Sequence, residues 1–577
     1  MTFSLVIGLA SALGVVAFYE SIDFAFAVFY QLPARFLPRL PFLAYRPVVT
    51  AAGVFVAWWL MKYVGRGHDG MNVPDVQLAV VRRGADIPLE PALARTAASA
   101  VTIGCGGSAG SEGPVVVFGS AIGSFVGRAF RASPERMRVL VGAGAAAAIS
   151  AAFNAPIAGA FFALEEILGT LTATAFPPIV VASVAAAIVS RSFFGNHPAF
   201  AIPEEYGYTL AREVLVFFPL LGVVTGMAAA GFVRGFFAVG DVASRFRRWR
   251  SLLPWTGGAL VGLLVVLSGG LLVGYGHLAV HLDVFGRMPW YALALLAAGS
   301  MLATSITLNT GGSGGLFTPS LYIGAATGGA FGVALSHLVP QAGIRPEAYA
   351  IVGMGAFVAA STHAPITGIL LVFEMTNDYA IVLPLMVATV ISYVVARRLE
   401  PDSLYSGWLR RRGEHIEKGA DETIMARVRV AEVFDRTARA VRESENVAQM
   451  LEHLGHSEQL LFPVVDEDGA LAGVVSVADL GRVARDHTLL SPVLLATDLA
   501  RPSEVVSPDE TLLEATRRMA LRGALALPVV DRTTARVLGV LGRHHVVAAY
   551  ERAAAAKTEV NGAHDETSPP AEPSLLP

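Results

Sequence analysis

Glu112 is the one ionisable residue in the stretch Gly106-Gly107-Ser108-Ala109-Gly110-Ser111-Glu112-Gly113-Pro114. An acid placed among glycines in an apolar chain is functional by default, because burying an unneeded charge is costly. The stretch recurs as Gly311-Gly312-Ser313-Gly314-Gly315-Leu316-Phe317-Thr318-Pro319, and both copies read GGSxGxxxP. A second pair follows in the same order. Ala155-Pro156-Ile157-Ala158-Gly159 with Glu165, and Ala364-Pro365-Ile366-Thr367-Gly368 with Glu374, both read APIxGxxxxxE. The copies lie about 205 residues apart. A helix that begins inside a bilayer exposes unpaired N–H groups and the positive end of its dipole. Two such starts facing one point make an anion site without a full positive charge. Glycine permits close backbone approach, and Pro114 and Pro319 suit a helix opening.

The elements that must hold these motifs follow from composition. Of 577 residues 54% are hydrophobic and 15% charged, well below the quarter of charged residues usual in a soluble domain. Apolar runs such as Phe3–Tyr19, Pro47–Tyr63, Val214–Val233 and Gly257–Val273 are interrupted by many of the 58 glycines and 32 prolines. Several are shorter than the ~20 residues that cross a bilayer. Such partial spans survive where protein shields them or they line a cavity. We expect an all-α polytopic membrane unit over residues 1–410, built of repeats at about 1–200 and 210–400. Paired glycine-broken segments in equivalent halves mark a substrate site near the midplane.

Past Glu400 the charge becomes ordinary, and residues 411–427 read as a linker to a soluble α/β region. Basic clusters at Arg245, Arg247, Arg248 and Arg250, and at Arg410, Arg411 and Arg412, favour the cytoplasmic side, and with Lys62, Lys418 and Lys557 as the only lysines the Arg-rich usage reads as bacterial, so a cell inner membrane is expected. The single Cys105 allows no intrachain disulfide, in keeping with a cytosol-facing tail. No Lys or Arg precedes Arg35, so the start reads as a first membrane segment rather than a cleavable signal. A net charge of −3 without long basic runs gives no support for nucleic-acid binding. Nothing resembles a metal-ligand cluster, a nucleophile elbow or a phosphate loop, so an enzyme is not expected.

These motifs resemble the CLC family of chloride channels and chloride/proton antiporters. The family's Gly-Lys/Arg-Glu-Gly-Pro is matched by Gly110-Ser111-Glu112-Gly113-Pro114, and its Gly-x-Phe-x-Pro by Gly315-Leu316-Phe317-Thr318-Pro319. Gly70-Met71-Asn72-Val73-Pro74 matches the first motif, and Tyr405 the inner tyrosine. The resemblance implies an inverted repeat, a homodimer in the lipid bilayer with one pore per subunit, and halide and protons as the transported species. It implies Glu112 as the gating glutamate and Glu166 as the internal proton acceptor. Met71, Asn72, Gly110, Gly113, Gly315, Leu316, Phe317 and Tyr405 would form the anion path. Glu165, which pairs with Glu374 in the repeat, reads as the structural member of its acidic pair. The expectation is chloride/proton exchange; the alternatives are a passive voltage- or pH-gated chloride channel and a fluoride/proton antiporter. Two departures stand out: Ser111 replaces a cation, and Met71 replaces a serine hydroxyl donor.

The tail repeats as well. "QLLFPVVDEDGALAGVVSVADL" pairs with "ALALPVVDRTTARVLGVLGRHHV", each after a helical stretch, "NVAQMLEHL" and "TLLEATRRM". This is similar to a CBS-domain pair, placed at 428–489 and 493–553, with a disordered tail at 554–577. In that family Ser/Thr-x-x-Asp binds an adenine nucleotide such as ATP, ADP or AMP; Ser476 and Asp479 complete it here, while the second copy has Gly542 and His545. No cofactor is required by this reading, and His544 with His545 reads as surface rather than as a metal site.

Overall fold

In hydrocarbon a backbone must satisfy its own hydrogen bonds, which turns the apolar runs into helices. The computed structural model describes residues 1–36, 45–65, 72–82, 84–195, 213–246, 249–272, 288–414, 425, 428–454, 459–486, 493–549 and 552. It divides into two units, Met1–Ile416 and Glu417–Pro577. Among the described residues of the first, seven helices are long and apolar enough to cross a membrane, among them Thr2–Gln31, Pro134–Phe153, Leu215–Arg245 and Phe317–Leu338. Others stop short, as expected from the broken runs: Val73–Arg82, Pro156–Phe162, Pro365–Thr376 and Leu404–Arg411.

The repeat is legible in the hydrogen bonds. Gly110 N–H donates to the Gly315 carbonyl at 2.8 Å, and Gly315 N–H returns the bond to Gly110 at 2.7 Å. The Thr307 hydroxyl accepts from Ser108 N–H at 3.1 Å, and the Thr102 hydroxyl accepts from Ser313 N–H at 3.0 Å. Ser99 meets Ser313 at 2.8 Å and Ser108 meets Thr304 at 2.7 Å. Each bond has its mirror in the other half, which is the signature of a pseudo-two-fold axis through the Gly110–Gly315 pair.

Close packing follows the same symmetry. The Glu112–Ala129 helix lies so near Pro134–Phe153 that a β-carbon on Gly144 would stand 1.9 Å from the Gly119 carbonyl oxygen. In the second half, a β-carbon on Gly353 would stand 2.5 Å from the carbonyl oxygen of Gly324. Left-handed backbone at Gly106 (φ 90°) and Gly311 (φ 122°) turns the chain out of each preceding helix towards the axis.

The second unit holds two small sheets. Leu461–Val465 pairs antiparallel with Leu471–Ser476 and parallel with Val441–Arg442, and Ala526–Val530 pairs antiparallel with Val537–Gly542. Val447–Leu454, Val477–Asp486 and Leu512–Arg522 are helical. The leading segments are exchanged: Val430 packs into the core of the second copy, and Ala496 into that of the first. The disordered tail expected at 554–577 lies outside the described residues, as does most of the 411–427 linker.

Candidate functional site

Glu112 opens its helix with only 2% of its surface exposed. Its Oε2 accepts from the backbone N–H of Thr318 at 3.2 Å, and its Oε1 accepts from the Ser111 hydroxyl at 3.3 Å. Thr318 lies in the first turn of Phe317–Leu338, where N–H groups have no partner within the helix. The carboxylate therefore sits where an anion would sit, at the dipole end of the opposite repeat's helix. The glycines make room. A β-carbon on Gly110 would fall 2.3 Å from Glu112 Oε2, and one on Gly315 would fall 3.1 Å from it. A β-carbon on Gly113 would meet the Gly315 α-carbon at 2.9 Å. Leu316 precedes the helix without a side-chain cap, and the buried Phe317 ring stands against Phe153 and Phe162, with centroids 6.1 and 6.2 Å away.

The paired acids separate into two jobs. Glu165 accepts from the N–H groups of Ile366 (3.1 Å) and Thr367 (2.7 Å) and from the Thr367 hydroxyl (2.7 Å). Glu374 accepts from Ile157 N–H (2.9 Å) and Ala158 N–H (2.6 Å). Each repeat's acid thus caps the helix that the other repeat's API motif begins. Glu166, one residue on, is buried instead against the Val73–Arg82 helix, where Gln77 donates to its Oε1 at 2.6 Å and to its carbonyl at 2.8 Å. Both acids lie in the π-helical turn Ala163–Leu168, and as successive helical residues they do not share a face.

Tyr405 is buried in the first turn of Leu404–Arg411, a helix capped by the Ser403 hydroxyl. Its phenol lies within electrostatic reach of both Glu166 and Glu112, so the three expected residues converge on one interior region. Asn72 behaves differently: its N–H donates to Asp75 Oδ2 at 2.8 Å and its side-chain carbonyl accepts from Arg95. Gly70 and Met71 lie outside the described residues.

Three contributors were not singled out from sequence. Gln77 is a lone amide amid buried Val73, Val76, Leu78, Ala79 and Val80, and that isolation was the available signal. Arg95, 7% exposed on the Leu89–Gly104 helix, reaches the Gly314 carbonyl at 3.4 Å and brings a buried cation near the axis. Tyr19 stands 3.4 Å from the Ser111 hydroxyl.

In the second unit the Ser476 hydroxyl donates to Asp479 Oδ2 at 2.6 Å and accepts from Asp479 N–H at 3.2 Å. Arg501 holds the other carboxylate oxygen at 3.0 Å. In the second copy His545 Nδ1 accepts from Gly542 N–H at 3.2 Å, so no carboxylate stands at that position.

The family model described as voltage gated chloride channel matches residues 53–397, and the CBS domain model matches 430–485 and 496–552. The chain is 36% identical over 418 residues to a putative chloride channel protein ClcB-like of Ralstonia nicotianae, spanning 70% of this chain and 95% of that protein. It is 31% identical over 404 residues to an H+/Cl− exchange transporter ClcA of Yersinia pseudotuberculosis, spanning 68% and 83%. Among solved structures, a slow cyanobacterial Cl−/H+ antiporter superposes with TM-score 0.64 at 27% identity, covering 71% of this chain and 97% of that one. A eukaryotic CLC transporter, 18% identical with TM-score 0.61, shares the fold over 94% of this chain and 97% of its own.

Proposed function

This chain belongs to the voltage-gated chloride channel family, and we propose that within it the protein exchanges chloride for protons. The observation that carries the reading is the Glu112 carboxylate, seated on Thr318 N–H at the start of the opposite repeat's helix. A carboxylate and a halide are both monoanions that the same N–H groups attract, so they compete. Protonation removes the charge that holds the side chain there, and the site passes to the anion. Deprotonation returns the glutamate and expels it. Exchange requires that protons reach Glu112 by a route apart from the anion. Glu166 is the group for that route: it is buried, and like Glu112 it lies within electrostatic reach of Tyr405.

Chloride is the ion of first choice, because the Ralstonia and Yersinia relatives, at 36% and 31% identity, carry chloride in their names. The protein is a multi-pass membrane protein. We place it in a bacterial inner membrane as a homodimer, with its CBS pair in the cytoplasm and an adenine nucleotide at Ser476 and Asp479.

The test is the purified full chain in liposomes, with a chloride gradient imposed and both fluxes recorded. The wild type is expected to drive protons against their gradient. Glu112→Gln and Glu166→Gln are expected to pass chloride without protons. Chloride flux with no proton movement in the wild type would make the protein a passive channel and end the coupled reading. No chloride flux at all would end the transport reading.

A further inference from the structure

Ser111 stands at the N-cap position of the Glu112–Ala129 helix, where a serine ordinarily turns its oxygen onto an N–H of the first turn. It makes no such bond. Its backbone is already helical, with φ −78° and ψ −23°, whereas a capping residue is extended. Ser133 (φ −62°, ψ 157°) and Ser403 (φ −86°, ψ 173°) are extended, and both cap, accepting from Arg136 N–H and from the N–H groups of Tyr405 and Ser406. The Ser111 hydroxyl donates instead to Glu112 Oε1 at 3.3 Å. The Tyr19 hydroxyl lies 3.4 Å from the same serine oxygen. A carboxylate only accepts, and a charge-assisted bond outweighs a neutral one, so the serine hydrogen goes to Glu112. Ser111 is 4% exposed, and at such burial little water is at hand to replace a lost bond.

We propose that Ser111 is a positioning residue for the anion seat: its hydroxyl holds Glu112 by Oε1 from the first repeat while Thr318 N–H holds Oε2 from the second, and this sets how hard a halide must compete to displace the carboxylate. The inference rests on the reading of Glu112 as the anion's competitor. The two bonds, at 3.3 and 3.2 Å, engage separate oxygens and come from opposite repeats. The N–H groups of Ser111 and Glu112 face the same carboxylate. Every residue type except proline brings an N–H, so a substitution at position 111 alters the hold through its side chain alone.

Calorimetry of chloride binding to the detergent-solubilised full chain at alkaline pH, where a carboxylate is ionised, reads this competition. A bond of 3.3 Å is long for a charge-assisted one, so its loss is expected to shift the balance by roughly threefold to tenfold. Ser111→Ala is expected to bind chloride tighter by that factor, and Ser111→Thr, which keeps the hydroxyl, to bind like the wild type. In a Glu112→Ala background Ser111→Ala is expected to change nothing, because the partner is gone. Should Ser111→Ala not fold, Ser111→Gly carries the same expectation. Unchanged affinity in Ser111→Ala would overturn the proposal, as would weaker binding, an equal change in both backgrounds, or a threonine variant that behaves like alanine. Glu112→Ala alone separates the two levels. If it binds chloride no tighter than the wild type, the competition reading itself fails. If it binds tighter and Ser111→Ala does not, only the role of Ser111 fails.

Discussion

Glu165 and Glu166 are adjacent acids of the same type, yet the structure predicts opposite consequences for losing them. Glu165→Ala removes an acceptor shared by two backbone N–H groups and one hydroxyl, at 3.1, 2.7 and 2.7 Å. Loss of a helix N-cap costs about 0.5–2 kcal/mol, and leaving the partly buried Thr367 N–H and hydroxyl unsatisfied adds about 1–3 kcal/mol. Because these terms overlap, about 2–4 kcal/mol is the expected loss. Glu374→Ala strips two N–H groups at 2.9 and 2.6 Å and is expected to cost nearly as much, since it is the mirror cap. Glu166→Gln leaves both caps in place and keeps a side chain of the same shape. The assay pairs the apparent melting temperature of the detergent-solubilised chain with the two fluxes in liposomes. Glu165→Ala and Glu374→Ala are expected to melt several degrees lower and, where folded, to keep the wild-type proton-to-chloride ratio. Glu166→Gln is expected to melt like the wild type and lose protons. A Glu165→Ala protein with wild-type melting and abolished proton movement would refute the division of labour drawn from the reciprocal caps.

Gly144→Ala places a methyl group 1.9 Å from a backbone carbonyl oxygen that cannot swing away; overpacking of this kind costs about 1–3 kcal/mol or more, and the yield of monodisperse protein on size exclusion should fall sharply. Arg501→Ala frees Asp479 from an ion pair whose arginine is largely exposed, a kind worth about 0.2–1 kcal/mol, so adenine nucleotide should bind the full chain about twofold to fivefold tighter by calorimetry, and Asp479→Ala should bind none. Burial, with His544 beside it, pushes the His545 imidazole below its ordinary range, while Asp435 opposes the shift. Between that lowered value and the ordinary one near pH ~6.5 the unfolded chain binds more protons, so stability falls as the solution is acidified. His545→Asn should flatten the difference in apparent melting between neutral and mildly acid pH; an undiminished difference would sink this assignment.

Composition alone divides the chain into an oily first unit and a charged second one, and the order of its motifs displays the internal repeat. The motifs GGSxGxxxP and APIxGxxxxxE recur in order, and a chain with two copies of a helix start has two dipole ends to point somewhere. The residue types also announced their chemistry: glycine for close approach, proline for a helix opening, one acid in apolar surroundings. What they did not carry is direction. That Gly110 and Gly315 bond each other back to back, so both helix starts aim at one spot, depends on contacts some two hundred residues apart, and no local pattern encodes such a distance. The same holds for the acidic pair. Composition makes Glu165 and Glu166 equals, and only the packed interior gives one the opposite repeat's helix start and the other Gln77 as a partner. Arg95 and Tyr19 were invisible for a related reason, and Gln77 showed only its isolation among apolar residues: a polar residue on a buried helix gains its meaning from the partner that tertiary packing brings to it.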